Sequence, residues 1–326
     1  MNKKIKIAVL GTGSIGLRHL RVLNSLNIET IAIPTRKERF EELSRDGYKV
    51  AYDIEEAKNW GATGIIICTN TSRHIRDCQE ALELDYCILC EKPLSSSTKE
   101  AKKIKDKVKG NLFVGYNLRF DDGFNKLFHL ANDIGEIYYI YSECRSYLPD
   151  WRKGRNYLEG YAAKPKEGGV LLDLSHEIDY LNFFYNKPLA IIGTTKNWGI
   201  LKIAEEEFAS ADCEYDNKSS STIVLDYLNK NHSRKCLVSS IEKTISYDFL
   251  NKHITIMQNG KVKYLLIKRK KDTLYQREIE EFISVIKGKK KQKLCDYDEA
   301  VYNLIVIDGW KLSSKSGRKV TLKYVN

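Results

Sequence analysis

The sequence lacks the marks of several protein classes. It contains no run of about 18 apolar residues, the length that a membrane-spanning helix needs. The apolar stretch Ile5–Leu10 is too short for the hydrophobic region of a signal peptide, and Gly11 follows it instead of a small-residue cleavage site. We therefore expect a cytoplasmic protein with no membrane partner. Its 326 residues are a length that favours two domains.

Metal-ligand spacing is also missing. The eight cysteines are scattered along the chain. Cys87 and Cys90 match the C-x-x-C form, but they lie in a predicted strand, where residues three apart point to opposite faces. No second pair follows at a spacing typical of zinc ligands. We expect no metal, and reduced thiols that pack as small apolar side chains.

Acidic residues are too few to balance the basic ones, and the net charge is +11. The excess lies largely in Lys99–Lys109, Lys268–Lys271 and Lys287–Lys293. These segments lack the interleaved aromatic residues of single-strand binding grooves, and no DNA-binding motif occurs. A solvated, lysine-rich surface explains the charge, so we expect no nucleic-acid partner.

The N-terminal segment has the pattern of a dinucleotide-binding site. The predicted strand Ile5–Leu10 is followed at once by Gly11–Gly16, then by a helix over about Ser14–Leu26 and a strand over Ile28–Ile33. A G-x-G-x-x-G turn in this order is typical of a Rossmann fold. Its glycines allow a tight turn, close approach of a pyrophosphate and close helix packing. His19 lies inside this helix, and we interpret it as structural.

The end of the second strand indicates which cofactor binds. An NAD site has Asp or Glu here, which accepts a hydrogen bond from the ribose 2′-hydroxyl. This chain instead has Thr35, Arg36 and Lys37, and no carboxylate before Glu38. A hydroxyl and two cations suit the 2′-phosphate of NADP(H), which we prefer to NAD(H). The alternative is that Arg36 and Lys37 only begin the next helix.

Further strands extend this sheet. Ala62–Thr69 is a continuous apolar run, and Tyr86–Cys90 and Asn111–Tyr116 follow it. Thr69–Ser72 is predicted to cap the helix after the first of these strands. Ligands of open α/β sheets bind at the carboxyl ends of the strands, so Lys92 is placed where nicotinamide and substrate would meet.

Gly168–Tyr180 is predicted to be one helix with two opposed faces. Its apolar residues recur at spacings of three and four, whereas Asp173, His176 and Tyr180 lie on roughly the opposite side. An acid, an imidazole and a phenol replace the usual solvated Lys and Glu. This face predicts the wall of a catalytic cleft, with His176 as the proton-transfer group.

The second half of the chain predicts a sheet and one long loop. The segments with strand character are Gly135–Leu148, Leu189–Trp198, Ser219–Leu228, Lys235–Ile241, Thr244–Asp248 and Lys252–Met257. The loop Leu148–Glu167 is long enough to indicate a function. Its aromatic and cationic residues suit a sugar that carries phosphate or carboxylate, such as a nucleotide-linked or acidic sugar. An ordinary solvated loop is the alternative.

Several ordered motifs resemble the glucose–fructose oxidoreductase / inositol dehydrogenase / MocA (Gfo/Idh/MocA) family. Besides the glycine-rich turn, they are Glu91–Pro93, Val114–Phe120, Gly168–Tyr180 and Asp296–Ser313, which together cover essentially the whole chain. The resemblance implies an α/β protein, with an N-terminal Rossmann domain built on a doubly wound parallel sheet. It also implies a C-terminal α/β domain with a large open, mostly antiparallel sheet, and a homo-oligomer (dimer or tetramer) formed through that sheet. Members of the family mostly oxidise or reduce a sugar carbon with a nicotinamide cofactor.

The resemblance also assigns roles by position. Lys92 matches the family's lysine that hydrogen-bonds the reacting hydroxyl, and His176 matches its general acid/base. Many members have Asp four residues before that histidine, where this chain has Leu172. Asp173 stands three residues before His176, on the same side of a helix, and is predicted to serve instead.

We therefore expect a dinucleotide-binding domain over 1–120 and a substrate and oligomerisation domain over 121–326, with the last ~30 residues packing back on the first domain. The predicted cofactor-binding residues are Gly11, Thr12, Gly13, Ser14, Ile15, Gly16, Thr35, Arg36, Lys37, Thr69, Asn70, Glu91, Lys92 and Asn117. The predicted substrate-binding residues are Lys92, Arg119, Trp151, Arg152, Arg155, Tyr157, Asp173 and His176. Of these, Lys92, His176 and Asp173 are the predicted catalytic residues.

These expectations converge on an NADP(H)-dependent sugar oxidoreductase. Ser146–Trp151 and Leu174–Leu181 resemble a subgroup associated with bacterial surface-glycan and nonulosonic (sialic-like) acid gene sets. Two alternatives are an NAD-dependent polyol or inositol-type dehydrogenase and a non-catalytic dinucleotide-binding sensor. The presence of both Lys92 and His176 argues against the sensor, because a pure binder needs neither.

Overall fold

The computed structural model describes residues 4–152, 154, 156–268, 270 and 272–324, which divide into two compact units. The first unit takes in the described residues of Met1–Asn117 and Lys271–Val301. The second takes in those of Leu118–Lys270 and Tyr302–Asn326. The units therefore divide after Asn117 and not after residue 120, and Lys271–Val301 groups with the first unit instead of the second.

The helices and strands of the described residues are as follows. The α-helices are α1 (Ser14–Ser25), α2 (Glu38–Arg45), α3 (Ile54–Asn59), α4 (Thr71–Glu83), α5 (Thr98–Ala101), α6 (Asp122–Ala131), α7 (Val170–Asp173), α8 (His176–Phe184), α9 (Thr273–Ile286) and α10 (Tyr297–Ser316). The strands are β1 (Lys6–Leu10), β2 (Glu29–Ile33), β3 (Gly64–Ile67), β4 (Cys87–Glu91), β5 (Leu112–Gly115), β6 (Ile137–Tyr147), β7 (Ala190–Lys196), β8 (Phe208–Glu214), β9 (Ser220–Asp226), β10 (Leu228–Ser240), β11 (Thr244–Asp248), β12 (His253–Gln258), β13 (Lys261–Leu266), β14 (Cys295–Asp296) and β15 (Val320–Thr321). Short 3₁₀ turns lie at Lys102–Lys107, Asn117–Phe120, Leu148–Trp151, Tyr157–Glu159 and Tyr161–Ala163.

The first unit contains a Rossmann-type sheet. Its strand order is β14-β5-β4-β3-β1-β2, in which β1 to β5 are parallel and β14 runs antiparallel to β5. Every residue of β3 and β5 is buried, as expected of a parallel sheet with both faces covered. The predicted parallel sheet is therefore confirmed.

The second unit contains a nine-stranded sheet in the order β13-β12-β11-β10-β6-β9-β8-β7-β15. All neighbouring pairs are antiparallel except β6 with β9. The predicted large, mostly antiparallel sheet is confirmed. Along β9, Ser221, Ile223 and Leu225 are buried while the residues between them are half-buried, so the core lies against one face of the sheet.

Three strands of this sheet, β8, β13 and the two-residue β15, escape prediction, and a fourth is longer than predicted. The inward residues of β8 are alanines and a cysteine, which give little β signal, and β13 is almost wholly exposed at the sheet edge. β10 begins at Leu228 and not at Lys235, because its polar, largely exposed first half joins the sheet through pairing with β6.

Across the parts of the chain that the structure describes, no helix is long and apolar enough to cross a membrane. The longest described helix, α10, spans 20 residues and carries acidic residues in its first turn.

Candidate functional site

The glycine-rich turn joins β1 to α1 at the carboxyl edge of the parallel sheet. The Gly11 N–H donates to the Ile33 carbonyl (2.9 Å), and the Cys68 N–H donates to the Leu10 carbonyl (2.7 Å). Gly11 has φ of +87°, and a Cβ there would lie 2.7 Å from the Cys68 carbonyl oxygen. A Cβ on Gly16 would collide with the Gly11 carbonyl oxygen. Protein packing alone therefore requires these two glycines.

Gly13 differs from them. It is exposed, its backbone is extended, and a Cβ added there would meet no atom of the described residues within 4 Å. Protein packing does not require a glycine here, whereas the close approach of a pyrophosphate does. α1 begins at the next residue, Ser14, so the unpaired N–H groups of its first turn lie beside this open backbone. The turn fits the phosphates of a dinucleotide.

The residues predicted to select the cofactor lie between β2 and α2. Thr35, Arg36 and Lys37 are exposed, and α2 begins only at Glu38. Arg39 was not among the predicted site residues. Its Nη2 donates to the Thr12 carbonyl (3.1 Å). This bond ties the first turn of α2 to the glycine-rich turn. The signal was present in the sequence as a third basic residue close after Arg36 and Lys37.

Lys92 is half-buried and follows β4, whose last residue, Glu91, is paired with Gly115 of β5. The Glu91 carboxylate contacts Nε2 of the buried His19 at 2.8 Å. Burial opposes ionisation of Glu91, but the His19 hydrogen bond and the nearby cationic groups hold the pKa of this carboxyl below its ordinary value. Glu91 is therefore an anion beside Lys92, and its side chain faces protein.

The loop after β3 is organised differently from the prediction. Asn70 is the N-cap residue of α4, but its side chain makes no capping hydrogen bond. The Thr69 hydroxyl donates to Asp77 (2.7 Å), which Arg73 also contacts through two donors (3.1 and 3.2 Å). The Thr69 hydroxyl is thus directed into the protein, while Asn70 is exposed. Asn117, the last residue of the first unit, is 8% exposed.

The predicted single helix over Gly168–Tyr180 is wrong. α7 ends at Asp173, and α8 begins at His176. The Ser175 hydroxyl donates to the Leu172 carbonyl (2.9 Å), which is the local hydrogen bonding by which serine competes with a continuous helix. Tyr180 is fully buried and hydrogen-bonded to Ser142, so it does not line a cleft. His176 is the half-buried first residue of α8.

Asp173 is held by two phenols. Its carboxylate accepts hydrogen bonds from Tyr161 (2.7 Å) and Tyr227 (2.8 Å), and the residue is 4% exposed. Burial and the Asp173 charge raise the pKa of Tyr227 above its ordinary value, so this phenol stays a donor. Asp173 therefore anchors α7 to the loop and to the sheet. Neither tyrosine was predicted to belong to the site.

Two buried ion pairs fix α8. Asp179 accepts from Arg119 through Nε (2.9 Å) and Nη2 (2.7 Å) and from Asn303 (2.8 Å). Glu177 accepts from Arg234 through Nε (2.7 Å) and Nη2 (3.0 Å). Arg119 is 1% exposed, so the prediction that it binds substrate is not supported by its position. Its bidentate geometry serves the protein's own carboxylate.

The predicted substrate loop contributes aromatic residues to this part of the second unit. Trp151 lies edge-on to Tyr227 (5.4 Å between ring centroids) and donates to the Ser146 hydroxyl (3.0 Å). The exposed Arg152 guanidinium lies over the Tyr161 ring, 5.8 Å from its centroid. The Tyr157 hydroxyl donates to the Leu201 carbonyl (3.0 Å). Arg155, also predicted to bind substrate, lies outside the described residues.

The cysteines behave as packing residues. Burial raises the pKa of the Cys87 thiol to about 12 and also holds that of the Cys90 thiol well above its ordinary value, which makes both poor nucleophiles and poor metal ligands. Within the ranges that the structure covers, no group of three or more His, Cys, Asp or Glu side chains is placed to hold a metal ion.

Comparison with known proteins matches part of this geometry to a family. Residues 5–114 match the family model described as "Oxidoreductase family, NAD-binding Rossmann fold" (GFO_IDH_MocA). The myo-inositol 2-dehydrogenase of Thermotoga maritima is 24% identical over 199 residues, which are 57% of this chain and 56% of that relative. The chain thus spans little more than half the length of this curated relative.

Solved structures match over nearly the whole chain. Levoglucosan dehydrogenase in complex with NADH and levoglucosan has a TM-score of 0.86 at 14% identity, covering 99% of this chain and 100% of its own. UDP-N-acetylglucosamine 3-dehydrogenase GnnA from Acidithiobacillus ferrooxidans has a TM-score of 0.80 at 16% identity, covering 96% and 98%. At these identities the likeness shows the fold. The family model supports the predicted family over the segment that it covers: residues 5–114 match the NAD-binding Rossmann fold of the Gfo/Idh/MocA family.

Proposed function

We propose that the protein is an NADP(H)-dependent oxidoreductase that transfers hydride between the nicotinamide and a carbinol or keto carbon of a sugar. The observation that carries this proposal is the first unit's sheet edge. There Gly13 leaves the backbone open to a pyrophosphate, and Lys92 follows the end of β4 in the same sheet. We assign dinucleotide binding to the first unit, and proton transfer and sugar binding to His176 and the loop residues of the second.

The proposed chemistry divides between two residues. The bound nicotinamide supplies the hydride acceptor or donor. In the oxidative direction, His176 takes the hydroxyl proton, and Lys92 stabilises the negative charge that develops on the oxygen. In the reductive direction His176 returns the proton. Asp173, held by Tyr161 and Tyr227, fixes the end of α7 just before His176.

The cofactor preference rests on Thr35, Arg36 and Lys37, which are exposed between β2 and α2 and include no carboxylate to oppose a 2′-phosphate. A paired titration of NADPH and NADH, followed by quenching of tryptophan fluorescence at fixed salt, tests it. Tighter NADPH binding supports the assignment, and Arg36→Ala should then weaken NADPH binding more than NADH binding. Tighter NADH binding contradicts it.

We propose a nucleotide-linked or acidic sugar, of the kind used in bacterial surface-glycan biosynthesis, as the substrate. The loop side chains that support this are Trp151, Arg152 and Tyr157, because aromatic rings and a guanidinium suit sugar rings and anionic groups. The name of one structural neighbour, a UDP-N-acetylglucosamine 3-dehydrogenase, points the same way. The test is a screen of UDP-sugars, sialic-type acids and plain polyols with NADP⁺ and NAD⁺, followed by absorbance at 340 nm.

An NAD-dependent polyol dehydrogenase is the second candidate. Relatives such as the myo-inositol 2-dehydrogenase of Thermotoga maritima favour it. In the same screen, turnover of myo-inositol with NAD⁺ and none of UDP-sugars would select this candidate. Tight dinucleotide binding without turnover of any sugar would instead indicate a sensor.

We also propose a homo-oligomer, a dimer or a tetramer, formed through the nine-stranded sheet. Half-buried residues such as Tyr141, Thr222 and Val224 alternate with the buried residues of β6 and β9, which leaves one sheet face open to a partner copy. Light scattering after size exclusion measures the mass in solution. A monomer, or an oligomer insensitive to Val224→Glu, would contradict the proposal.

A further inference from the structure

Two buried histidines of the first unit hold the backbone around Lys92. We propose that His19 and His74 are positioning residues, which fix the backbone on either side of Lys92 and so aim its side chain at the reacting hydroxyl. The inference rests on the proposed function, which gives Lys92 that role. Neither imidazole can touch a substrate, because His19 is 0% and His74 is 1% exposed. Each must act through the residues that it contacts.

The first contact lies before Lys92. His19 of α1 places Nε2 2.8 Å from one Glu91 carboxylate oxygen, and the Lys92 N–H donates to the other oxygen (3.3 Å). A carboxylate only accepts hydrogen bonds, so Nε2 carries the proton in this pair. The Tyr275 ring lies against the imidazole at 5.4 Å between centroids in an edge-on contact. The Glu91 side chain thus connects α1 to the backbone nitrogen of Lys92.

The second contact lies after Lys92. Nδ1 of His74 lies 2.8 Å from the Pro93 carbonyl oxygen, and Nε2 lies 3.0 Å from the Thr69 carbonyl oxygen. His74 belongs to α4, so its ring joins the end of β3 to the residue that follows Lys92. A neutral imidazole has one N–H and can donate to one of these carbonyls at a time. Burial lowers the pKa of His74 and favours this neutral form.

An apolar side chain would pack in either place at lower cost. A buried polar group lowers stability unless its hydrogen bonds compensate for lost hydration. Each imidazole makes one such bond to the segment Glu91–Pro93, His19 through Nε2 and His74 through Nδ1. These contacts flank the one residue of that segment whose side chain the proposed reaction uses. Polar bonds to both neighbours of Lys92 indicate positioning in addition to packing.

The amides of asparagine and glutamine provide matched variants. The asparagine amide nitrogen can occupy the place of Nδ1, and the glutamine amide nitrogen the place of Nε2. His74→Asn should therefore keep the bond to Pro93 and most of the turnover, whereas His74→Gln keeps only the bond to Thr69. A catalytic group displaced by about 1 Å costs on the order of 10²-fold in rate. We expect that loss in kcat for His74→Gln and for His19→Leu, with His19→Gln partly rescued.

Three measurements on the full chain decide the matter. They are kcat and KM for the sugar found in the screen, fluorescence titration of the cofactor, and hydrogen–deuterium exchange of the peptide around Glu91–Pro93. We expect kcat to fall most in His74→Gln and His19→Leu, less in His19→Gln and least in His74→Asn. Cofactor affinity should stay unchanged, and hydrogen–deuterium exchange should rise in that peptide. It is overturned by full turnover in His19→Leu and His74→Gln, or by loss of cofactor affinity in proportion to turnover.

Failure of the proposed function can be distinguished from failure of the positioning role of the two histidines. Lys92→Met with full turnover would remove Lys92 from the chemistry, and with it the purpose of the two histidines. If no sugar is turned over, hydrogen–deuterium exchange still decides the structural part of the proposal. Unchanged exchange near Lys92 in His19→Leu and His74→Gln would overturn that part too.

Discussion

The two units hold their proposed catalytic residues in different ways. Lys92 follows a strand whose backbone is already fixed by parallel neighbours on both sides, and the added contacts are single hydrogen bonds from His19 and His74. His176 begins a helix that is broken from the preceding one at Leu174–Ser175. That helix is held by two buried bidentate ion pairs, Arg119 with Asp179 and Arg234 with Glu177.

The difference follows from the backbone. The end of a central strand is held by backbone hydrogen bonds to the strands on both sides, so weak side-chain hydrogen bonds are enough to adjust its position. A short helix after a break has no such constraint and can turn about its axis. Charged, bidentate contacts on α8 remove that freedom, and they tolerate the loss of a partner poorly because they are buried. We expect the second unit to respond more sharply to substitution.

The largest effect is expected at the Arg119–Asp179 pair. Asp179→Ala leaves a buried guanidinium without its carboxylate, which typically costs about 3–5 kcal/mol of unfolding free energy. The matched control is Glu214→Ala, which removes an exposed partner of Lys319 and should cost at most about 1 kcal/mol. Urea unfolding measures both. If Asp179→Ala does not fold, the double variant Arg119→Met/Asp179→Leu should restore folding. Equally small losses of unfolding free energy in Asp179→Ala and Glu214→Ala would contradict the prediction.

His176→Ala should lower kcat by about 10²–10⁴-fold, since it removes the proposed proton-transfer group. Cofactor affinity should stay as in the wild type, because His176 belongs to the second unit and the dinucleotide turn to the first. Steady-state rates with the sugar found in the screen and fluorescence titration measure the two quantities. Undiminished kcat would remove His176 from the mechanism.

The glycine-rich turn offers a sharper contrast within the first unit. Gly13→Ala adds a Cβ that meets no atom of the residues that the structure describes, so we expect a folded protein with weakened dinucleotide binding. Gly16→Ala adds a Cβ that collides with the Gly11 carbonyl and should impair folding itself. Thermal unfolding and cofactor titration separate the two. Unweakened binding in Gly13→Ala would contradict the assigned phosphate site.

The smallest effect is the pH dependence that His74 gives to stability. Burial lowers its folded-state pKa below the ordinary 6.5, so the unfolded chain binds the proton more readily. The contribution of neutral His74 to the free energy of unfolding is therefore fully present above pH 6.5 and is lost as the pH falls below that value. In His74→Asn, the thermal midpoint should therefore fall less steeply than in the wild type between pH 7 and pH 5, which is about the range over which histidines titrate. Parallel declines would contradict this assignment.

The same comparison explains what the sequence could reveal. The first unit's site was predictable because its elements are local: a strand, three glycines, a helix, and a lysine after a later strand. The Asp179 and Glu177 partners lie 60 and 57 residues away in the chain, so spacing could not pair them. The predicted helix over Gly168–Tyr180 failed for the same reason. The periodicity predicted helical residues on both sides of the break, but Ser175 and tertiary contacts interrupt the helix, and Tyr180 of its predicted polar face is buried.

Arg119 shows the limit for individual residues. A basic residue just beyond the sheet edge could equally bind an anionic substrate or an internal carboxylate, and only the fold identifies Asp179 as its partner. His19 was interpreted as structural from its place in the helix, and its ring is buried, but its contact with Glu91 joins residues 72 positions apart. Its proposed positioning role could not be read from α1 alone.

The most direct test of the central claim is a double-variant cycle on Lys92 and His176, using the sugar found in the screen. If both residues act on one carbinol oxygen, Lys92→Met/His176→Ala should be about as slow as the slower single variant, because groups that act as a unit are strongly non-additive. A double variant whose loss equals the product of the two single losses would show that the residues act independently. That result would contradict the proposal that Lys92 and His176 act on the same oxygen.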